Sequence, residues 1–306
     1  MTPQALSATR ADRPNIVRGI LLMMLAGFLF VVMDTTAKYL SRDYAVTQIV
    51  WARYVFHLLT LPLLIGGGSW RAVARTKRLG LQLLRSLFLL GSTYFFFLAV
   101  KYIPLATATA IGFVGPLLVT ALSMPLLKEK VGPRRWAAVV VGFGAVLVII
   151  RPGAEVLHWA VFLPLLVAAC FAFYQITTRI LSRSDSSLTT LFYSAIAGAV
   201  AMTVLLPFEA WRWPDAAGWG LMAFLGLIGG LGHYVMIRAF TIAPAASIAP
   251  FSYLNLVWAT LLGFAVFADL PDRWTVTGAV ILAGSGLYVL YRERKLRQAE
   301  GAGASG

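Results

Sequence analysis

Apolar positions in this chain run on for some twenty residues at a time and then stop at short polar breaks. A bilayer's hydrocarbon core is about 30 Å thick and takes roughly 20 residues of helix at about 1.5 Å each. Runs of that length predict ten helices, at 16–40, 46–66, 79–101, 104–127, 133–151, 157–183, 187–208, 217–242, 245–267 and 273–291. The breaks between them are too short for a soluble domain. The pattern predicts an all-α, polytopic membrane protein of ten transmembrane helices, called spans 1 to 10 in chain order, with the lipid bilayer as solvent.

A second pattern lies on top of the first. "DTTAKYLSRD" (34–43) returns as "QITTRILSRS" (175–184), with Lys38 matched by Arg179 at an offset of 141 residues. At an offset of 140, Pro104, Ala106, Thr120 and Leu122 meet Pro244, Ala246, Thr260 and Leu262, and Glu129 meets Asp269. A nearly constant offset across spans 1/6, 3/8, 4/9 and 5/10 predicts two homologous five-helix repeats, 16–151 and 157–292, with tails at 1–15 and 293–306. Five spans is an odd number, so the second half enters the membrane upside down relative to the first. Inverted repeats of this kind build secondary transporters, in which one unit used in both orientations supports opening to either side.

Composition agrees with the membrane reading. Hydrophobic residues make up 59% of the chain and charged residues 12%, against about half and about a quarter in soluble proteins. The net charge of +14 would suit nucleic acid only if it were gathered on one soluble domain, and it is not. Eighteen of the 26 Lys and Arg residues lie in the two tails and in the connectors after spans 2, 4, 6 and 8. Six lie in the alternate connectors, and Arg53 and Arg85 fall inside spans. The positive-inside rule then places both tails in the cytoplasm and the chain in the cell inner membrane. Span 1 has no obvious small-residue cleavage site and reads as uncleaved. The single cysteine, Cys170, sits in an apolar run and excludes an intrachain disulfide. The tail "LRQAEGAGASG" has a disordered composition.

The stretches "IPLATATAIGFVGPLLVTALSMPLLKEKVGPRRWAAVVVGFGAVLVIIRP" and "APAASIAPFSYLNLVWATLLGFAVFADLPDRWTVTGAVILAGSGLYVLYRER" share a layout. A proline opens spans 4 and 9, an acid closes each, and Trp136 or Trp274 leads into the next span. Over residues 18–294 this pattern resembles the drug/metabolite transporter superfamily, in its EamA-type ten-helix group. "MDTTAKYL" and "QIVWARY" look most like branches containing riboflavin and S-adenosylmethionine permeases. The resemblance implies a secondary transporter of a small organic metabolite working by alternating access, with riboflavin-like cargo favoured. Export of amino acids, drugs or S-adenosylmethionine-like metabolites is the alternative it leaves open.

Ionisable groups inside spans are costly and face a bundle interior, a cavity or a partner. Asp34 and Arg53 lie about 9–10 Å from the same membrane face at 1.5 Å per residue and are expected to pair, with Lys38 sharing the contact. Lys38 follows Asp34 at i,i+4, as His57 follows Arg53. At the repeat offset Asp34 becomes Gln175, Arg53 becomes Ser194, His57 becomes Gly198 and Thr93 becomes His233. The polar set is therefore asymmetric, as an asymmetric cargo requires. Tyr94, Tyr174 and Tyr253 add flat amphipathic surfaces. The candidate substrate-binding residues are thus Asp34, Lys38, Arg53, His57, Tyr94, Tyr174, Gln175, His233 and Tyr253. A structural ion pair fits Asp34 and Arg53 equally well, and packing is the plainer role for His233.

Elsewhere, Arg85 reads as a lipid anchor snorkelling to the headgroups. Glu129 and Asp269 read as hairpin braces to Arg135 or Arg273, and Pro116, Pro125, Pro164 and Pro250 as helix breaks. No cofactor or metal motif is present, and no nucleotide loop that would support ATP driving. Nothing resembles a His-Glu-x-x-His helix, a Gly-x-Ser-x-Gly elbow or a channel filter, which sets aside a membrane enzyme and a channel. Expected partners are a small-molecule substrate and lipid, with no nucleic acid, in a monomer or homodimer. Proton coupling through Asp34 or His57 and facilitated exchange fit the sequence equally.

Overall fold

In hydrocarbon every backbone N–H and C=O must be satisfied within its own segment, so each apolar run folds as helix. The computed structural model describes residues 15–62, 66, 69–127, 132–152, 158–182, 184–209 and 211–303, and these contain no strand. The helices are α1 (Ile16–Leu40), α2 (Val46–Leu58), α3 (Leu79–Tyr102), α4 (Leu105–Gly112 and Gly115–Leu127) and α5 (Pro133–Ile150). The second half holds α6 (Leu163–Leu181), α7 (Ser187–Leu205), α8 (Ala216–Ile242), α9 (Leu254–Phe267) and α10 (Arg273–Gly303).

Taking α4 as one span and counting Ala249–Phe267 for α9, nine of these, among the described residues, are long and apolar enough to cross a membrane, and α2 is the exception with 13 residues. Within the expected span 46–66 the helix breaks at residues 59–60 and resumes at 61–62. Thr60 folds back, its N–H and its Oγ1 both donating to the His57 carbonyl. Pro62 has no N–H to offer the Leu58 carbonyl, so the ladder is interrupted there.

Contacts between connectors nevertheless show that α2 crosses. On one face Lys38 Nζ pairs with Asp269 and donates to the Ile103 carbonyl, Arg212 donates to Asp43, and Arg151 pairs with Asp272. These join the connectors after α1, α3, α5, α7 and α9. On the other face Asp185 accepts from Thr76 and Gln82, and the Tyr193 hydroxyl donates to the Ala74 carbonyl. These join the connectors after α2 and α6. So α2 starts on the Lys38 face and ends on the Asp185 face. Likewise α1 ends on the face where α6 begins, and the two halves are inverted.

Two spans break inside the membrane. α4 is interrupted at Phe113–Val114, and α9 is entered through a helix at Ala245–Ile248 and a 3-10 stretch at Ala249–Tyr253. The breaks correspond at the 140-residue offset; Pro116 stands where α4 restarts, and Pro250 opens the 3-10 stretch that leads into α9. Broken helices in matching positions are how inverted-repeat transporters build a midplane site. Pro164 opens α6, where a missing N–H costs nothing, so of the four prolines Pro125 is the one inside a helix. At the chain's end α10 runs on to Gly303 in place of the expected disorder. Glu, Arg, Lys, Gln and Ala in "RERKLRQAE" are good helix formers and nothing there breaks the helix.

α8 of the second half packs against α1 and α2 of the first. A Cβ on Gly226 would meet Phe56 Cβ, the Arg53 carbonyl oxygen and the His57 nitrogen, so the α2 and α8 backbones nearly touch. Only glycine permits that approach.

Candidate functional site

The close α2–α8 packing carries three ionisable residues to one place. Arg53 lies seven residues into α2 and is 4% exposed. Its NH1 donates to Thr93 Oγ1 of α3 at 2.8 Å and its Nε to the sulfur of Met33 on α1 at 3.3 Å. Thr93 passes its own proton to the Leu89 carbonyl, which leaves its lone pairs to the guanidinium, and the Tyr54 ring lies 4.9 Å from the guanidinium carbon. One helical turn on, the buried His57 ring stands 5.6 Å from the His233 ring of α8, and Phe30 packs edge-on against His233 at 4.9 Å. His57 lies eleven residues into α2, about 16 Å along the axis and close to the middle of a 30 Å core. The cluster joins α1, α2 and α3 of one half to α8 of the other.

It is not electrically closed. Asp34, beside Met33 on α1, is half-buried and feels the Arg53 charge through space. The expected Asp34–Arg53 ion pair does not form, and Asp34 has no hydrogen-bond partner among the described residues. Arg53 is drawn to Thr93 and Met33 because those atoms lie directly across the α2–α3 and α1–α2 interfaces. His57 Nε2 is buried and also without a partner among the described residues.

Lys38 does not share that cluster. Its Nζ sits 2.6 Å from Asp269 Oδ2 and 3.2 Å from the Ile103 carbonyl oxygen, with the Phe267 ring 4.9 Å away. Asp269 therefore braces α1 to α9 across the halves and not Arg273 of its own hairpin. Glu129, its counterpart in the first half, lies outside the described residues.

Arg85 corrects another expectation. It is 4% exposed and does not snorkel to the headgroups. Its Nε donates to Thr178 Oγ1, NH1 to Ser194 Oγ and the Thr190 carbonyl, and NH2 to the Tyr174 hydroxyl. Thr178 and Ser194 both give their protons to carbonyls one turn back, so both offer lone pairs to the arginine. Tyr174 is thereby committed to Arg85, its ring 4.4 Å from the guanidinium carbon. Gln175, one position on, is exposed and has no hydrogen bond among the described residues. Tyr94 turns away from Arg53 into a groove of about 330 Å³ with Thr47, Leu87 and Met202. Tyr253 packs on Phe113 at 4.8 Å and against Gly286 of α10.

Of the nine candidates, the structure brings Arg53, His57 and His233 together with Asp34 near by, and disperses Lys38, Tyr94, Tyr174, Gln175 and Tyr253. Thr93 and Met33 were missed as members. Thr93 carried a signal, since it is the repeat counterpart of His233, whereas Met33 carried none.

On the Asp185 face, burial pushes the Asp185 carboxyl up, but hydrogen bonds from Thr76, Gln82 and Ser184 and the Arg78 charge outweigh it and hold the group below the usual carboxylate value.

The EamA-like transporter family's profile matches residues 17–151 and again residues 158–292. The chain belongs to that family. Two matches in tandem show the repeat, and family membership makes this a multi-pass membrane transporter. An S-adenosylmethionine uptake transporter of Rickettsia bellii is 30% identical over 86% of this chain and 89% of its own length. A riboflavin transporter of Vibrio cholerae is 27% identical over 93% and 96%. A pseudopaline exporter of Pseudomonas aeruginosa is 29% identical over 86% and 93%. One solved crystal structure aligns with a TM-score of 0.61 over 90% of this EamA chain and 98% of its own, at 19% identity, and shows a shared fold.

Proposed function

We propose that this EamA transporter is a secondary carrier that moves a small, ring-bearing organic metabolite across the inner membrane by alternating access. One observation carries the reading: a polar cluster of buried Arg53 and His57 with half-buried His233, at mid-depth, spans the boundary between inverted halves. Inverted-repeat carriers bind at that boundary and expose the site to each side in turn. The cluster is rich in hydrogen-bond donors and flanked by Phe30 and Tyr54, which suits a flat cargo with carbonyls, neutral or weakly anionic, as in riboflavin. The basic connectors lie on the Asp185 face, so that face and both tails are cytoplasmic in this reading.

A second reading rests on Asp34. With Lys38 held by Asp269 and Arg53 by Thr93, the Asp34 carboxylate is free to receive a cationic group. An S-adenosylmethionine-like cargo would use it, and relatives named for that cargo are 29–30% identical to this chain. Counterflow of labelled riboflavin, S-adenosylmethionine and amino acids in sealed liposomes tests both. Saturable exchange of riboflavin that is lost in Arg53→Gln supports the first reading. Exchange of S-adenosylmethionine that is lost in Asp34→Asn and kept in Arg53→Gln replaces it with the second. No saturable exchange of any of them overturns the cargo class.

A further inference from the structure

A guanidinium has five N–H donors, and two buried arginines in this chain use them very differently. Arg85 directs four hydrogen bonds at oxygens of Thr178, Thr190, Ser194 and Tyr174. Arg53, equally buried, has one good acceptor in Thr93 and one thioether sulfur, a weak acceptor. Among the described residues three of its donors have no partner, and no carboxylate stands within ion-pair distance. A buried cation is normally paired, because the desolvation it suffers is otherwise uncompensated. The deficit lies beside a second one, the buried and unpartnered Nε2 of His57, one helical turn along the same face of α2.

We infer that Arg53 and His57 Nε2 form the seat of an oxyanion carried by the cargo, a carboxylate or a group of like geometry. The planar fork of Arg53 matches two carboxylate oxygens, and His57 in its Nε2–H form donates to one of them. Gly229 lets α8 pack directly on this group, since a Cβ there would stand 2.8 Å from the Met33 sulfur and 3.9 Å from Arg53 Nε. Thr93 and Met33 aim the fork, and Asp34 keeps a separate place for an opposite charge. The inference rests on reading this cluster as the cargo site, and within the neutral or weakly anionic class it selects the anionic members over a neutral cargo such as riboflavin.

The test reads binding in detergent, without flux, so its failure leaves the liposome result standing. Purified protein is titrated with benzoate, benzamide and inorganic phosphate, and the midpoint of thermal unfolding is followed. Benzoate is expected to bind at least about tenfold tighter than benzamide, the factor that one charge-assisted contact of about 1.4 kcal/mol supplies. Arg53→Gln should bring the two affinities together, and Arg53→Lys should keep part of the preference. Should Arg53→Gln fail to fold, His57→Phe provides the same comparison and should reduce the preference. Equal affinities in the unmodified protein, or a preference unchanged by these substitutions, would overturn the inference. Phosphate binding with no response to benzoate would also overturn it, by assigning the seat to a free inorganic anion.

Discussion

If Lys38 and Asp269 latch the two halves on one face, breaking that pair should open the face. At 2.6 Å and an effective dielectric of about 20, the bare attraction is about 6 kcal/mol. Most of it is cancelled by desolvation and by ordering a lysine. Fully exposed pairs retain about 0.2–1 kcal/mol, and truncating one partner of a buried pair costs about 3–5 kcal/mol. The side chains here are 13% and 33% exposed, which places the latch between those limits, at about 1–2 kcal/mol. That is a factor of about 5–30 in the population of the opened face. The two truncations should differ. Lys38→Met leaves Asp269, which is a third exposed and can rehydrate, whereas Asp269→Asn strands the more buried Lys38 against the Phe267 ring.

A cysteine at Thr36, in a Cys170→Ala background, is a suitable reporter, because Thr36 is 9% exposed and lies two residues below Lys38. Its reaction rate with a bulky hydrophilic maleimide should rise about 5–30-fold in Lys38→Met, rise at least as much in Asp269→Asn, and fall back in the Lys38→Asp/Asp269→Lys exchange. Unchanged rates in both single variants, with thermal stability intact, would refute the latch.

Single cysteines at Ser69 and Trp213 test the orientation, since Trp213 is 78% exposed in the α7–α8 connector: an impermeant thiol reagent outside the cell should label position 213 and spare position 69. Arg85→Gln leaves Thr178, Thr190, Ser194 and Tyr174 without their donor, at about 1–3 kcal/mol for each group left unsatisfied, so the melting midpoint should fall by many degrees. Arg85→Lys should recover part of that loss. Because the Asp185 pKa is depressed in the folded protein, its stabilisation is fully present above the unfolded value of about 3.9 and is lost as pH falls through the folded value. Thermal stability should therefore drop below about pH 4, and Asp185→Asn should lower stability at neutral pH while flattening that acid limb.

The fold was legible because the bilayer imposes it. Hydrophobic run length, the charge alternation and the repeat offset each state a membrane constraint without reference to neighbours, and together they gave ten crossings and an inverted second half. The end of α2 was missed because a proline within an apolar run does not announce whether it breaks the helix or starts a new one. The site was less legible, since depth along a helix is readable and azimuth is not. Asp34 and Arg53 share a depth, yet the rotations of α1 and α2 aim Arg53 at Met33 and Thr93. Arg85 was misread for the same reason: its distance from the membrane face suited snorkelling, while its azimuth turns it inward to Ser194.

The repeat gives these azimuths a common logic. Ser194 is the counterpart of Arg53, and it is Ser194 that receives Arg85; Thr93 is the counterpart of His233, and it is Thr93 that receives Arg53. Both halves thus bring the same positions of α2 and α7 against α3, but with donor and acceptor exchanged. The result is that α3 is held on each side of its middle, by an arginine it accepts from α2 and an arginine it donates to α7. Arg85 directs four hydrogen bonds at oxygens, and Arg53 only one. Arg85 is thus a closed structural joint at one end of α3, while at the other end Arg53 keeps donors without partners among the described residues, which is the contrast that the proposed cargo site builds on.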